Sequence, residues 1–133
     1  MRPYLVIALF LIVGPGTLAA AQSAGDVSAA LGEWRGESLC LVKPSPCHDE
    51  VVVYHIAKAE KPGAVSIQAD KIVNGEAQNM GTLDCQYASG KRVLTCAIPR
   101  GVFRFTISGD KMQGTLTTSD NVLFRRISVK KVR

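Results

Sequence analysis

The sequence lacks an apolar run long enough for a membrane-spanning helix. Its longest uninterrupted apolar stretch runs from Leu5 to Val13, nine residues, whereas a helix that crosses a bilayer needs about 20. Arg2 precedes this stretch, Gly14-Pro15-Gly16 ends it, and small alanines occupy positions 19–21. This order is typical of a secretory signal peptide. We therefore expect residues 1–21 to be cleaved, and the protein to be periplasmic or secreted without stable membrane insertion.

Motifs that carry out catalysis are also missing. The chain contains no Gly-x-Ser-x-Gly, no His-Glu-x-x-His and no glycine-rich phosphate loop. It has only two histidines, His48 and His55, and their odd separation places them on opposite faces of a regular strand, which disfavours a shared metal site. The sequence therefore predicts a protein that is not an enzyme and that needs no metal or cofactor.

Positive charge exceeds negative charge, with a formal net charge of +5. Several basic residues cluster near the end of the chain, and such a cluster can attract nucleic acid or acidic surfaces. No pattern of aromatic residues that could stack on bases accompanies it, and an exported protein rarely meets nucleic acid. We expect no nucleic-acid partner, and we read the cluster as the solvated end of a strand.

From Gly32 onward, short runs of period-two alternation are separated by Gly, Pro, Asn and Asp, which is the pattern of β-strands and turns. Such tight spacing leaves no room for crossover helices, so neighbouring strands must pair antiparallel. We predict an all-β domain over residues 32–133, an eight-stranded up-and-down meander closing into a small barrel, with a two-sheet sandwich as the alternative. Residues 22–31 are expected to be flexible, with a short helical turn at 26–31. The predicted strands cover 33–41, 48–57, 64–73, 81–87, 92–98, 101–108, 111–117 and 122–132.

The sixth and seventh runs form the clearest hairpin. Gly109-Asp110 suits a two-residue turn, which places Phe103 opposite Leu116, Phe105 opposite Gly114, and Ile107 opposite Met112. All six then share one face, and the glycine leaves room for the Phe105 ring. A slip of one residue would turn one apolar set outward, so the pattern specifies the register.

The four cysteines, Cys40, Cys47, Cys85 and Cys96, predict two disulfides, because an even count is typical of exported domains. Three pairings are formally available. A four-residue turn at 89–92 places Cys85 directly opposite Cys96, close to the distance that a bridge requires. Cys40 and Cys47 flank a proline-rich connection that a second bridge would close.

Two groups of residues are candidates for binding. The closed connection 41–46 is stiffened by two prolines, and its candidate partner-binding residues are Lys43, Pro44, Ser45 and Pro46. A second candidate loop is 74–80. Residues that could line a cavity inside the barrel are Tyr54, His55, Phe103, Phe105 and Met112.

The segment Gly32-Glu33-Trp34 resembles the start of a calycin barrel, the group that includes lipocalins, fatty-acid-binding proteins and avidins. In those families a Gly-x-Trp motif opens strand one after a short helical turn. The resemblance implies that Trp34 plugs the closed end of the barrel and that a basic residue of the last strand, Arg125 or Arg126, lies across it.

The sequence thus favours a lipocalin-like, non-catalytic binding module. Its ligand is either a small apolar molecule held inside the barrel or a partner protein. The alternative is a periplasmic or secreted inhibitor of an enzyme, of the protease or lysozyme type, that acts through the closed connection 41–46. Exported barrels of this size are used in both ways.

Overall fold

The computed structural model describes residues 11–16 and 25–133. Most of the expected signal peptide lies outside these residues, as do residues 22–24 of the expected flexible segment, and residues 11–16 form neither helix nor strand. Within the described ranges, no helix has the length and apolarity needed to cross a membrane. The strands are β1 (Gly32–Cys40), β2 (Glu50–Lys58), β3 (Ala64–Val73), β4 (Glu76–Ala88), β5 (Val93–Ile98), β6 (Gly101–Ser108), β7 (Lys111–Thr118) and β8 (Leu123–Lys131).

The eight strands form one meander that closes into a barrel. Each strand pairs antiparallel with the next, and β1 pairs with β8 over seven residue pairs, from Trp34–Lys131 to Cys40–Arg125. Closure of the sheet on itself gives every strand two neighbours, which protects most of the backbone edges from non-specific pairing. The predicted eight-stranded barrel is confirmed, and the chain does not form the alternative sandwich.

The β6–β7 hairpin has the predicted register. Phe103 faces Leu116, Phe105 faces Gly114, and the two strands are joined by the turn at Gly109-Asp110. The Phe105 ring is fully buried. It lies against Gly114 so closely that a Cβ atom added there would be 2.6 Å from Cε1 of the ring. The glycine is therefore required by the size of its cross-strand neighbour.

Both predicted disulfides are present. Cys85 and Cys96 join β4 to β5 with a Cα–Cα distance of 4.2 Å, and both side chains are buried in the core. Cys40 and Cys47 close the connection between β1 and β2, with a Cα–Cα distance of 5.9 Å. Two bridges agree with an oxidising, exported environment.

The barrel is plugged at one end, which we call the closed end, by Trp34 and the residues that precede β1. Trp34 is fully buried, and its indole Nε1 donates a hydrogen bond of 3.0 Å to the carbonyl oxygen of Ala30. The segment before β1 contains turns closed by Ala30 N to Val27 O and Leu31 N to Ser28 O bonds, and it has no helix.

The basic residue over Trp34 is Lys131, whose Nζ lies 5.1 Å from the ring centroid. The expectation that Arg125 or Arg126 would cover the tryptophan is wrong. Because β8 runs antiparallel to β1, the residue beside Trp34 comes at the end of β8, and Arg125 pairs with Cys40 near the opposite end of the barrel. Arg126 pairs with Leu39 and is exposed.

The strand lengths are unequal around the barrel, and the difference opens the end opposite Trp34, which we call the open end. β4 has 13 residues and β5 has six, and they pair over only three positions, Gln86–Ala88 with Val93–Thr95. The expected loop 74–80 is a tight turn at Asn74-Gly75, both with positive φ, followed directly by β4. The part of β4 nearer the open end therefore extends beyond the end of β5.

Candidate functional site

A cavity of about 350 Å³ lies inside the barrel near its open end, between the parts of β4 and β8 that are closest to that end. The part of β4 before Leu83 extends beyond the end of β5, and three residues of this part, Met80, Gly81 and Thr82, line the cavity. The wall is mostly apolar. The apolar lining residues are Val52, Ala69, Met80, Leu83, Ile98 and Phe103, and the polar ones are Ser38, Glu50, Tyr54, Thr82 and Arg125.

Arg125 crosses the open end of the barrel and is largely buried, with 13% of its side chain exposed. Its Nη1 donates to the carbonyl oxygen and hydroxyl of Ser38, at 3.3 and 3.2 Å, and to the carbonyl oxygen of His48, at 3.1 Å. Its Nη2 lies 3.6 Å from Oε1 of Glu50. The guanidinium is thus paired with a carboxylate and three oxygen acceptors, and the polar side of the cavity carries little net charge.

Tyr54 supplies the cavity with a hydroxyl group. Its side chain is buried, and its ring packs edge-to-face against Phe105, with 5.7 Å between centroids. Burial raises the pKa of the Tyr54 phenol above its ordinary value of 10.0, while Arg125 lowers it and Glu50 raises it to smaller extents. The phenol is therefore protonated at neutral pH and can donate a hydrogen bond to a molecule in the cavity.

Two of the five predicted cavity residues, Tyr54 and Phe103, line this cavity. Phe105 and Met112 do not, because both are completely buried in the core below it. Together with Trp34, these two side chains fill the half of the barrel nearer the closed end. Inside the described barrel, the space for a ligand therefore lies in the half nearer the open end.

His55 was expected to face a cavity and instead lies on the outer surface. Tyr54 pairs with Trp34 and faces inward, so its neighbour His55 faces outward, where 42% of its side chain is exposed. Its Nε2 lies 3.0 Å from Oδ2 of Asp70, and its Nδ1 lies 3.6 Å from Oε2 of Glu33. His55 thus connects β1 and β3 across β2.

The disulfide-closed connection 41–46 is ordered by its own side chains. The Ser45 hydroxyl donates to the carbonyl oxygen of Val42 at 2.7 Å and accepts from the backbone N–H of Cys47 at 3.1 Å. Ser45 therefore organises the loop from within. Of the candidate partner-binding residues, Lys43, Pro44 and Pro46 are exposed.

Large apolar side chains with high exposure are concentrated at the open end. Leu39, Leu41 and Val51, which lie within or beside the disulfide-closed connection, are 39–41% exposed. Others lie on the β3–β4 hairpin and on the β7–β8 turn: Val73, Met80, Val122 and Leu123. By contrast, Val132 is the one such residue at the closed end of the described barrel. The open end thus offers a group of apolar contacts to another molecule.

Sequence reasoning did not identify Arg125, Glu50 and Ser38 as parts of the site. Arg125 was noticed and assigned to the wrong end, although the antiparallel direction of β8 could have placed it opposite Cys40. Glu50 and Ser38 carry no pattern of their own, because their roles depend on the irregular connection between β1 and β2.

Among residues 11–16 and 25–133, no group of three His, Cys, Asp or Glu side chains is arranged to hold a metal ion. Comparison of the sequence with protein-family models and with curated proteins finds no match. The resemblance to calycin barrels therefore extends to the eight-stranded architecture, and the site must be interpreted from its own residues.

Proposed function

We propose that this protein is a non-catalytic, exported binding module of the lipocalin type. Its cavity at the open end would hold a small, neutral, mostly apolar molecule that carries one hydrogen-bonding group. The observation that carries the proposal is the cavity itself, about 350 Å³ in volume and lined largely by aliphatic and aromatic side chains. Ligand pockets are concave and apolar with a few oriented polar groups, and they begin at roughly 300 Å³.

The preference for a neutral ligand follows from the pairing of charges in the wall. Arg125 is already compensated by Glu50, and its Nη1 has three oxygen acceptors. An anion would have to compete with Glu50, and a cation with Arg125, while losing its own hydration. A neutral molecule avoids both costs.

The single polar contact of this ligand is assigned to the Tyr54 hydroxyl. Among the described residues no enclosed side-chain oxygen lacks a partner, and none of the hydrogen bonds in the barrel involves this hydroxyl, so it faces the cavity space. A phenol that stays protonated can donate to a carbonyl or ether oxygen of the ligand. Tyr54→Phe should weaken such a ligand by roughly two- to tenfold, as expected for one neutral hydrogen bond.

Titration with two fluorescent probes of the same ring skeleton tests the proposal. N-phenyl-1-naphthylamine is neutral, and 1-anilinonaphthalene-8-sulfonate adds one negative charge. We expect saturable one-to-one binding of the neutral probe and at least about tenfold weaker binding of the sulfonate. A free-energy cost of about 1.4 kcal/mol for placing the uncompensated charge in the cavity is enough for this tenfold difference in affinity. Absence of saturable binding, or preference for the sulfonate, would contradict the proposal.

A pair of matched substitutions locates the binding. Ala69→Leu adds volume to the cavity wall, whereas Ala57→Leu makes the same change on an exposed position of the outer face. The first variant should lose the neutral probe and the second should keep it. Equal affinity in the two variants would show that the probe binds elsewhere.

A second candidate function, binding of a protein, is favoured by the exposed apolar side chains beside the disulfide-closed connection. Leu39, Leu41 and Val51 are exposed at the same end of the barrel as the exposed Lys43. If the protein inhibits an enzyme, Leu41→Ser and Lys43→Ala should each reduce inhibition of a lysozyme or a serine protease without lowering the melting temperature. Inhibition that both substitutions leave unchanged would exclude this rim as the inhibitory surface.

A further inference from the structure

A chain of polar contacts crosses the outer face of four strands. From β1, Glu33 contacts His55 on β2 at 3.6 Å, and His55 contacts Asp70 on β3 at 3.0 Å. On β4, Nδ2 of Asn79 donates to Oδ1 of Asp70 at 3.3 Å, and Oδ1 of Asn79 accepts from the backbone N–H of Gly81 at 2.7 Å. The chain thus begins on the solvent side of the barrel and ends on the β4 backbone.

The end of this chain is the wall of the cavity. β4 contains a bulge at this place, because Ala69 pairs with Gly81 and Asp70 pairs with Asn79, which leaves Met80 without a partner. Gly81 has a φ of +116°, a conformation that other residues rarely adopt. Met80 and Gly81 both line the cavity. A bulge redirects side chains relative to a regular strand, and here it brings Met80 to the ligand space.

Asp70 is the residue of this chain of polar contacts whose burial requires an explanation. It is only 7% exposed although it sits on the outer face of the sheet. A buried carboxylate is unfavourable unless its oxygens are paired. Here Oδ1 accepts from Asn79 and Oδ2 faces His55. Both contacts orient the carboxylate, and through Asn79 they restrict the Gly81 amide.

We propose that Asp70 and Asn79 are positioning residues for the ligand cavity, which hold the Met80–Gly81 bulge in the shape that a ligand requires, and that His55 connects this support to the outer surface. The inference rests on the proposed function for its effect on affinity. None of the three side chains lines the cavity, so their influence must pass through the β4 backbone. A contact at His55 on the outside of the barrel would then change binding inside it.

An exchange of the two central residues provides the test. Asn79→Asp removes the amide group that donates to Asp70 and places a second carboxylate beside it. The two negative charges repel each other, so the substitution should release the bulge. Adding Asp70→Asn to that variant restores one donor and one acceptor, because the amide at position 70 can donate to the carboxylate at position 79. The carboxylate can still accept from Gly81, and the carbonyl of the amide can still accept from His55.

Three readouts apply to wild type, to the single variant and to the double variant. These are the affinity for N-phenyl-1-naphthylamine, the hydrogen-exchange rate of the Gly81 amide and the NMR shift of the Met80 methyl group. We expect Asn79→Asp to weaken binding of the probe by at least about tenfold, which is the low end of the loss expected for one hydrogen bond to a charged group. It should also speed Gly81 exchange and move the Met80 signal, and the double variant should recover all three.

Two results would overturn the inference. The first is an Asn79→Asp protein with unchanged Gly81 exchange and unchanged Met80 shift. The second is an Asn79→Asp protein that melts at a lower temperature but keeps wild-type affinity for the probe, which would mean that the chain of polar contacts only stabilises the fold. If wild type binds neither probe, the proposed function fails by itself, and the two NMR readouts still decide whether the polar chain holds the bulge.

Discussion

Replacement of Gly114 by alanine probes the packing on which the lower barrel depends. The added Cβ would lie 2.6 Å from Cε1 of Phe105, far inside normal contact distance, and the ring has no exposed surface into which it could move. Tyr54 packs against one side of the same ring and Phe103 stacks on it at 6.0 Å. The clash must therefore be relieved by a shift of backbone or of several side chains.

The expected cost can be worked from these contacts. Overpacking a core by one methyl group costs about 1–3 kcal/mol, and alanine recovers roughly 0.5–1 kcal/mol relative to glycine through lower chain entropy. The net loss in the free energy of unfolding is then about 0–2.5 kcal/mol, centred at about 1.3 kcal/mol. For a domain of about 100 residues this central value corresponds to a fall in melting temperature of roughly 5–10 °C.

Thermal and urea unfolding followed by circular dichroism measure the loss. Gly90→Ala is the matched control, because nothing lies within 4 Å of a methyl group added there. A second control adds Phe105→Leu to Gly114→Ala, and the smaller side chain should reduce the cost of the alanine. Equal melting temperatures for Gly114→Ala and Gly90→Ala would refute the argument that the glycine is required by the phenylalanine.

Three further predictions concern stability. The raised pKa of Tyr54 means that the unfolded chain releases a proton above about pH 10 while the folded chain keeps it, so wild type should lose stability between pH 10 and 11 by up to about 1.4 kcal/mol per pH unit more than Tyr54→Phe in urea unfolding. Lys131→Met should lower the free energy of unfolding by about 0.5–1 kcal/mol through loss of the cation–π contact with Trp34, and an unchanged value would show that the contact contributes nothing. Removing the Cys85–Cys96 bridge by alanine at both positions should cost about 2–3 kcal/mol, measured by urea unfolding of the variant against oxidised wild type.

The parts of the fold that could be predicted are those in which turn chemistry and alternation agree. The turn at Gly109-Asp110 and the apolar set around Phe105 leave one register that turns all six residues of this face into the barrel, and the turn at 89–92 brings Cys85 opposite Cys96 in the same way. Both are local features of a hairpin. Eight such runs with short connections have few ways to pair other than as a closed meander.

The orientation of β2 could not be predicted in the same way. The connection between β1 and β2 is long and irregular, so no turn geometry sets which residues of the two strands face each other. The pairing of Trp34 with Tyr54 decides that Tyr54 points inward and His55 outward. Both faces of β2 contain apolar residues, and its alternation alone could not separate these two alternatives.

The cavity depends on features that no single strand reveals. Its wall combines a part of β4 that extends beyond the short β5, the bulge at Met80, and the Arg125 side chain, which reaches from β8 to the residues before β2. Each is a relation between strands. The Asn74-Gly75 turn, in contrast, had a recognisable hairpin signal that would have extended β4 and shown how far it projects.

The central claim is that the open-end cavity binds a small neutral apolar molecule. The most direct test is an NMR titration of the protein with N-phenyl-1-naphthylamine, in which backbone and methyl shifts map the bound probe. The account predicts saturable shifts centred on Tyr54, Leu83, Ile98 and Phe103, with the fully buried Met112 little affected. Shifts confined to the outer groove near Val102 and Thr117, or no saturable shifts, would contradict it.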